Sequence, residues 1–410
     1  MSGHFREPGS PANADVEIPL VLPVGTLPEI AKEASGVGAG GEPGETPGLL
    51  RRFWLRCCSI GEWIFGAISL IVGLAVVAAV PIAWFLSLGY LLEAARRVAT
   101  SGKLRTGFIG IRPAARAGSM IAGAWIMLLP LRLLSSMAVD AELIDPGGVT
   151  AERWRLGLTL ATILVVIHIV AACSRGGKLR YFFWPFNLIW LVRRLRQGGY
   201  FSQARDAVWE FLRGMRLPYF FWLGLRGFCG AFVWLAVPIT VLALGRFAPV
   251  VGFIGGAMLA IVLLYVPFLQ MRFAVENRFS SFWQIRPVRD LYRRAPWAFA
   301  FAFFITLLFA VPLYLLKIEM IPRETAWLPS LVFIVFIFPA RLLTGWAYAR
   351  ASRCDRPRHW FFRWTGRLWM LPVAAIYVLI VFFTQYLSWG GVWSLYEQHA
   401  FLLPMPFVGM

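Results

Sequence analysis

Acidic residues are scarce in this 410-residue chain: 21 Asp and Glu stand against 40 Lys and Arg, and seven of the acids fall within the first fifty residues. Lysine is scarcer still, with four against 36 arginines. The common catalytic constellations are missing: there is no Ser/His/Asp set, no Walker loop, no His-Glu-x-x-His and no paired intramembrane aspartates. The five cysteines (Cys57, Cys58, Cys173, Cys229, Cys354) are odd in number and lack the Cys-x-x-Cys or Cys/His spacing of a metal site. They read as small apolar side chains, so neither a metal nor another cofactor is expected, and enzyme activity has no positive support.

Apolar residues, by contrast, are abundant. They make up 59% of the chain, 16% is aromatic, and the mean hydropathy is +0.67, which leaves too little polar surface to clothe a soluble globule of this size. Apolar stretches at 63–92, 118–139, 156–173, 217–245, 247–273, 297–316, 328–349 and 368–388 are near or above the length needed to cross about 30 Å of hydrocarbon. The expected fold is an all-α polytopic transmembrane helix bundle of about eight spans. Seven of the eight carry an internal proline, read mainly as a tolerated kink that shapes the bundle.

The net charge of +19 would suggest nucleic acid if it were gathered on one soluble domain, but it is spread over alternate loops. Lys and Arg number six in 93–117, two in 140–155, nine in 174–216, one at Arg246, five in 276–296, two in 317–327, six in 350–367 and none in 389–410. By the positive-inside rule the rich loops are cytoplasmic and the C-terminus faces outward. The expected partners are anionic lipid headgroups and other membrane proteins, with no role for nucleic acid. Both flanks of the first span are positive, and the larger excess after it, six against three, leans toward an N-terminus outside. The alternative is that 63–92, broken at Pro81, dips in and returns as a re-entrant hairpin, leaving the N-terminus inside.

Residues 1–50 hold seven prolines and a charge of 2 − 7 = −5, and cannot bury enough apolar surface to fold alone. They read as a disordered acidic tail and do not have the pattern of a signal peptide. The remainder carries a repeat. Ile111-Arg112-Pro113 before the second span answers Ile285-Arg286-Pro287 before the sixth, and the motifs starting at Ser174-Arg175 and Ser352-Arg353 correspond after the third and seventh. Glu93 closes the first span as Glu276 closes the fifth, and Pro130 answers Pro312. Four matches in order suggest a 4+4 tandem repeat. The first copy occupies 51–216, including an amphipathic interfacial helix at 200–216, with its fourth span at 217–245. The second copy and a short C-terminal segment occupy 246–410.

Ionisable residues within apolar spans are the default functional candidates, and here they are Arg226, Arg341, Glu93, Glu276 and His168. Arg226, flanked by Gly224 and Gly227, is expected to point into the bundle. His168 is read first as a hydrogen-bonded structural residue, and Glu93 and Glu276 as helical ion pairs with Arg97 and Arg272. Arg193, Arg194, Arg196, Arg353, Arg356 and Arg358 are the candidate headgroup contacts.

Gly89-Tyr90-Leu91-Leu92-Glu93, with Arg96 and Arg97 behind it, resembles a group of bacterial multi-pass membrane proteins known only as a domain of unknown function, over about residues 63–135. The resemblance implies no activity; it favours a bacterial inner-membrane protein. The spans are poor in Asn, Gln, Ser, Thr and acids, which fits a non-catalytic, lipid- or protein-interacting scaffold or assembly component better than the alternative, a transporter with a solute path between two four-helix repeats.

Overall fold

Helix is the only regular structure that satisfies every backbone amide within one lipid-embedded segment, and every regular element among the described residues is helical. The computed structural model describes residues 49–196, 198–316, 327–388, 391–396 and 401, so the acidic tail expected over 1–50 lies almost wholly outside them.

Eight of the helices are long and apolar enough to cross a bilayer, making the chain a multi-pass membrane protein. They are α1 (Leu49–Ala79), α3 (Ile111–Ile144), α4 (Val149–Ser174), α8 (Leu217–Leu244), α9 (Pro249–Glu276), α11 (Pro296–Leu316), α12 (Trp327–Ser352) and α13 (Trp360–Leu387). Between them lie α2 (Trp84–Ser101), the short α5 (Leu179–Phe182), α6 (Asn187–Arg196), α7 (Tyr200–Gly214) and α10 (Ile285–Arg294). The amphipathic pattern over 200–216 is thus realised as α7. Six of the seven span prolines sit inside continuous helices, and only Pro81 interrupts one.

At Pro81 the structure corrects the single first span. α1 stops at Ala79, Ile82 takes a left-handed φ of 69°, and α2 starts at Trp84. A β-branched residue pays for that conformation, which is the mark of a turn imposed by its surroundings. The chain then doubles back: Ser87 Oγ donates to the Leu74 carbonyl at 2.9 Å, and the Trp63 ring lies 5.1 Å from that of Phe108, in the loop that follows α2. Gly66 packs on Ile111 and Gly118 on Ser69, so α1 rises beside α3 while α2 descends. The start of the hairpin at Trp63 therefore lies at the same end of the bundle as the arginine-rich loop after α2. This arrangement matches the re-entrant alternative.

Small residues set the position of α2. Gly89 and Gly224 bring α2 and α8 into backbone contact; a methyl on Gly89 would meet the Phe220 carbonyl, and one on Gly224 the Phe85 carbonyl. The two helices are antiparallel, with Tyr219 beside Glu93 and Phe228 beside Trp84. The tip of the hairpin thus comes near Phe228, about 17 Å along an α8 that is about 42 Å long. On its other side α2 runs with α12, where Gly345 meets Ala95 and Arg353 meets Gly102.

From Cys57 onward the chain is one compact unit, and its core cluster draws on α2, α8, α9, α11, α12 and α13. The α3–α4 hairpin stands outside that cluster. Only 6% and 11% of the most apolar windows of α3 and α4 are buried, against 50% and 61% for α11 and α12, so α3 and α4 present their side chains outward. In the expected first copy α3 and α4 lie outside the core, whereas all four spans of the second copy, α9, α11, α12 and α13, contribute to it.

Local backbone geometry does recur. Gly102 and Asn277 end α2 and α9 in left-handed conformations, with φ of 71° and 53°. Each is followed by an extended basic residue, Lys103 or Arg278, then by a 3-10 turn, and then by the helix that opens at Ile111 or Ile285. The offset is 277 − 102 = 175 at the caps, which pairs Tyr90 with Tyr265 and Arg97 with Arg272 rather than Glu93 with Glu276. The recurrence is confined to this turn and does not confirm the expected duplication.

Two predictions follow from this packing. A single cysteine at Ser59 and one at Lys103 will react with a membrane-impermeant maleimide added from the same side, and one at Pro146 from the other; opposite-side labelling at Ser59 and Lys103 would remove the hairpin. Gly224→Ala will lower stability by about 1–3 kcal/mol, because overpacking at a backbone contact cannot relax by a rotamer change; unchanged thermal unfolding in detergent would contradict the close crossing.

Candidate functional site

A guanidinium in hydrocarbon must find acceptors within the protein, and the arginine that does so is Arg341, only 3% exposed at the centre of the bundle. Its Nη1 donates to Gln270 Oε1 at 2.7 Å and its Nη2 to the Phe401 carbonyl at 3.0 Å. Gln270, wholly buried on α9, turns its amide to the Gly227 and Phe401 carbonyls, both at 3.2 Å. Arg341 Nε has no hydrogen-bond partner, and no carboxylate among the described residues pairs with this cation. The charge is held by oriented amides and carbonyls alone.

Phe401 reaches this cluster from the far end. Tyr396 bonds Thr240 at 2.9 Å near the end of α8, whereas the Phe401 carbonyl lies beside Gly227, thirteen residues nearer the start of the same helix. Phe401 therefore sits inside the bundle, 1% exposed. Nothing in the sequence marked Phe401. Gln270 had a signal, as the only amide in its apolar stretch.

Arg226 does not turn into the bundle as expected. It is half-buried and reaches along the surface to Asn277 Oδ1, at 3.1 Å, with a weaker bond to the Trp222 carbonyl. Asn277 caps α9 at the basic end, so this is a helix-end arginine reaching toward a polar boundary. His168 is the structural residue anticipated: its Nε2 lies 2.8 Å from the Phe182 carbonyl, tying α4 to α5.

Glu93 is 2% exposed and more heavily bound than an i,i+4 pair. Arg96 grips it with two bonds of 2.6 Å, Arg97 adds one of 3.1 Å and the Tyr219 hydroxyl another of 3.0 Å. All its lone pairs are occupied, so it fastens α2 to the start of α8 and is poorly placed to carry protons. Glu276 pairs with Arg272 and accepts from Ser281 Oγ, closing the equivalent turn.

The headgroup candidates divide. Arg193, Arg194 and Arg196 are exposed along the end of α6. Arg353 is committed to the end of α2 by a 2.6 Å bond to the Ser101 carbonyl, and Arg356 is exposed. Arg358 lines a cleft of about 350 Å³ at the basic end, together with Arg294, Arg350, Trp297, Trp346, Phe301 and Phe362. The cleft is braced from α10: Arg358 N donates to the Arg293 carbonyl at 2.9 Å, and the Tyr292 hydroxyl to the Arg363 carbonyl at 2.8 Å. Burial pushes the Tyr292 hydroxyl up to about 12, so it stays protonated and keeps donating at physiological pH.

The geometry defines a multi-pass membrane protein with a buried, acid-free arginine and a basic, aromatic-lined cleft at one end. Compared with protein-family models, with curated proteins and with solved structures, the chain matches none.

The Arg341 cluster has an energetic signature. Gln270→Leu, which strands the cation, will destabilise by about 3–5 kcal/mol, and Arg341→Met by less. The double variant will be more stable than Gln270→Leu alone, because both polar members then leave together. Additive losses in thermal unfolding would mean that the two side chains are not coupled.

Proposed function

We propose that this chain is a non-catalytic inner-membrane scaffold that engages anionic lipid through its arginine-rich end, with that end in the cytoplasm. The observation that carries the reading is the filled interior. Where a carrier's two halves would enclose a solute, the buried cluster of α2, α8, α9, α11, α12 and α13 is packed with Phe, Leu, Ile and Ala. Two pairs of its polar side chains are turned to one another, Arg341 to Gln270 and Tyr314 to Tyr377. Orientation rests on the arginine alternation. The return of the α1–α2 hairpin supports the same side for Trp63 as for the arginine-rich loop after α2, against the outward lean of the charge count. The bacterial assignment rests on the resemblance around Gly89–Glu93 and on the arginine-dominated basic set.

One observation favours the runner-up, a transporter: Arg341 Nε is buried without an acceptor, as an anion-binding arginine caught without its solute would be. Cysteine accessibility separates the two. In a background lacking the native cysteines, Leu263→Cys, Phe303→Cys and Ile334→Cys will stay unmodified by a small water-soluble thiol reagent under conditions that label Gly198→Cys fully. Labelling at the three core positions at a rate near that of Gly198→Cys would establish an aqueous path and replace the scaffold by a carrier.

A further inference from the structure

We propose that the cleft between α10, α11, α12 and α13 is a stoichiometric site for a lipid whose head is a bare phosphate, a phosphomonoester amphiphile. The inference deepens the lipid-binding reading and rests on it.

The charge is one-sided. Arg294, Arg350 and Arg358 line the cleft and no carboxylate does, with Asp355 exposed just outside the lining, and among the described residues none of the three arginines is in an ion pair. Arg293 next door is neutralised by Asp290 at 2.9 Å, so the acid within reach on α10 is already used. Three guanidinium groups around one concavity repel one another unless an anion is shared among them, and phosphate oxygens suit their forked donors.

The remaining lining specifies an amphiphile rather than a free ion. Trp297, Phe301, Trp346 and Phe362 form apolar walls, and the Arg350 guanidinium lies over the Trp346 ring at 5.6 Å from its centre. Trp297 and Phe301 begin an exposed stripe on α11 that continues through Phe304 and Leu308. These positions recur at helical spacing over about 17 Å, the reach of an extended acyl segment directed from the basic end toward the membrane centre. A phosphate held by the three arginines would have its chain already laid on that stripe.

The lining also selects against other headgroups. An ethanolamine or choline carries an ammonium that wants a carboxylate or an uncrowded aromatic face. Here it would meet three like charges, a repulsive element that discriminates as effectively as any attractive contact. Brackets on both sides hold the walls in place, Arg358 N to the Arg293 carbonyl and the Tyr292 hydroxyl to the Arg363 carbonyl, so the site needs little ordering on binding.

The test uses the full chain in detergent and in lipid nanodiscs, with phosphatidate, phosphatidylglycerol, phosphatidylethanolamine and inorganic phosphate as probes. Cys354 lines the cleft, so a variant retaining it as the single cysteine reports occupancy by its alkylation rate. Native mass spectrometry is expected to retain one phosphatidate per chain, bound about tenfold more tightly than phosphatidylethanolamine. Phosphatidate should slow Cys354 alkylation, and inorganic phosphate should not. Arg294→Gln, Arg350→Gln and Arg358→Gln combined should abolish the preference, while the same change at Arg193, Arg194 and Arg196 should preserve it; thermal unfolding certifies that each variant is folded. Protection by inorganic phosphate equal to that by phosphatidate would overturn the lipid assignment. Preference for anionic lipid that survives the cleft variant would overturn the site while leaving the lipid-binding reading in place. No preference for any anionic lipid in the parent chain would remove that reading and the site together.

Discussion

Backbone contact between α2 and α8 at Gly89 and Gly224 is the constraint on which the rest of this bundle depends. Two helices meet this closely only where neither carries a Cβ, and in lipid, where apolar burial supplies no net drive, such close packing is a main source of helix association. With α2 held there, Gly345 lets α12 settle against Ala95, and Glu93 gathers Arg96, Arg97 and Tyr219 at the basic end. α2 itself turns back near the middle of α8, yet it contacts α8, α9 and α12. The longer helices are positioned by one that stops short.

Charge in the interior is handled in two ways. Glu93 keeps its ionised form by taking every donor around it, so a carboxylate can sit 2% exposed beside the end of α8. Arg341 pairs with no acid among the described residues and is stabilised by the dipoles of Gln270 and the Phe401 carbonyl. Fixed dipoles can hold a cation in a low-dielectric interior only while they stay aimed at it. The placement of Phe401 and retention of the buried charge are therefore one requirement. In the cleft Arg350 and Arg358 are exposed and Arg294 is half-buried, so neither solution is needed there.

Much of this was legible in the residues. Eight apolar runs and the alternation of arginine-rich loops marked a polytopic helix bundle, and the pattern over 200–216 marked the helix that α7 forms. His168 is a lone imidazole in an apolar run and bonds the Phe182 carbonyl, and the first run breaks at Pro81. Arg226 misled because depth was counted along its own helix: nine residues into α8 it looks buried, yet the end of α9 lies beside it and offers Asn277. Arg341 stands among the intramembrane candidates in the sequence, but nothing local to it shows that its neighbours are the wholly buried Gln270 and a carbonyl sixty residues later in the chain. No local pattern records which helix ends are level with one another.

What the sequence by itself determined is the solvent the chain belongs to and the end at which its charge gathers, because hydrophobic length and loop charge act residue by residue against the bilayer. Tertiary structure alone decided that α1 and α2 form a returning hairpin, that α3 and α4 stand outside the core, that Arg341 rather than Arg226 is the buried cation, and that Arg294, Arg350 and Arg358 share one cleft. These outcomes depend on close approach between segments far apart in the chain. In a bilayer that approach is set by glycine contacts and satisfied polar groups rather than by hydrophobicity, which is the same for nearly every pairing of these helices.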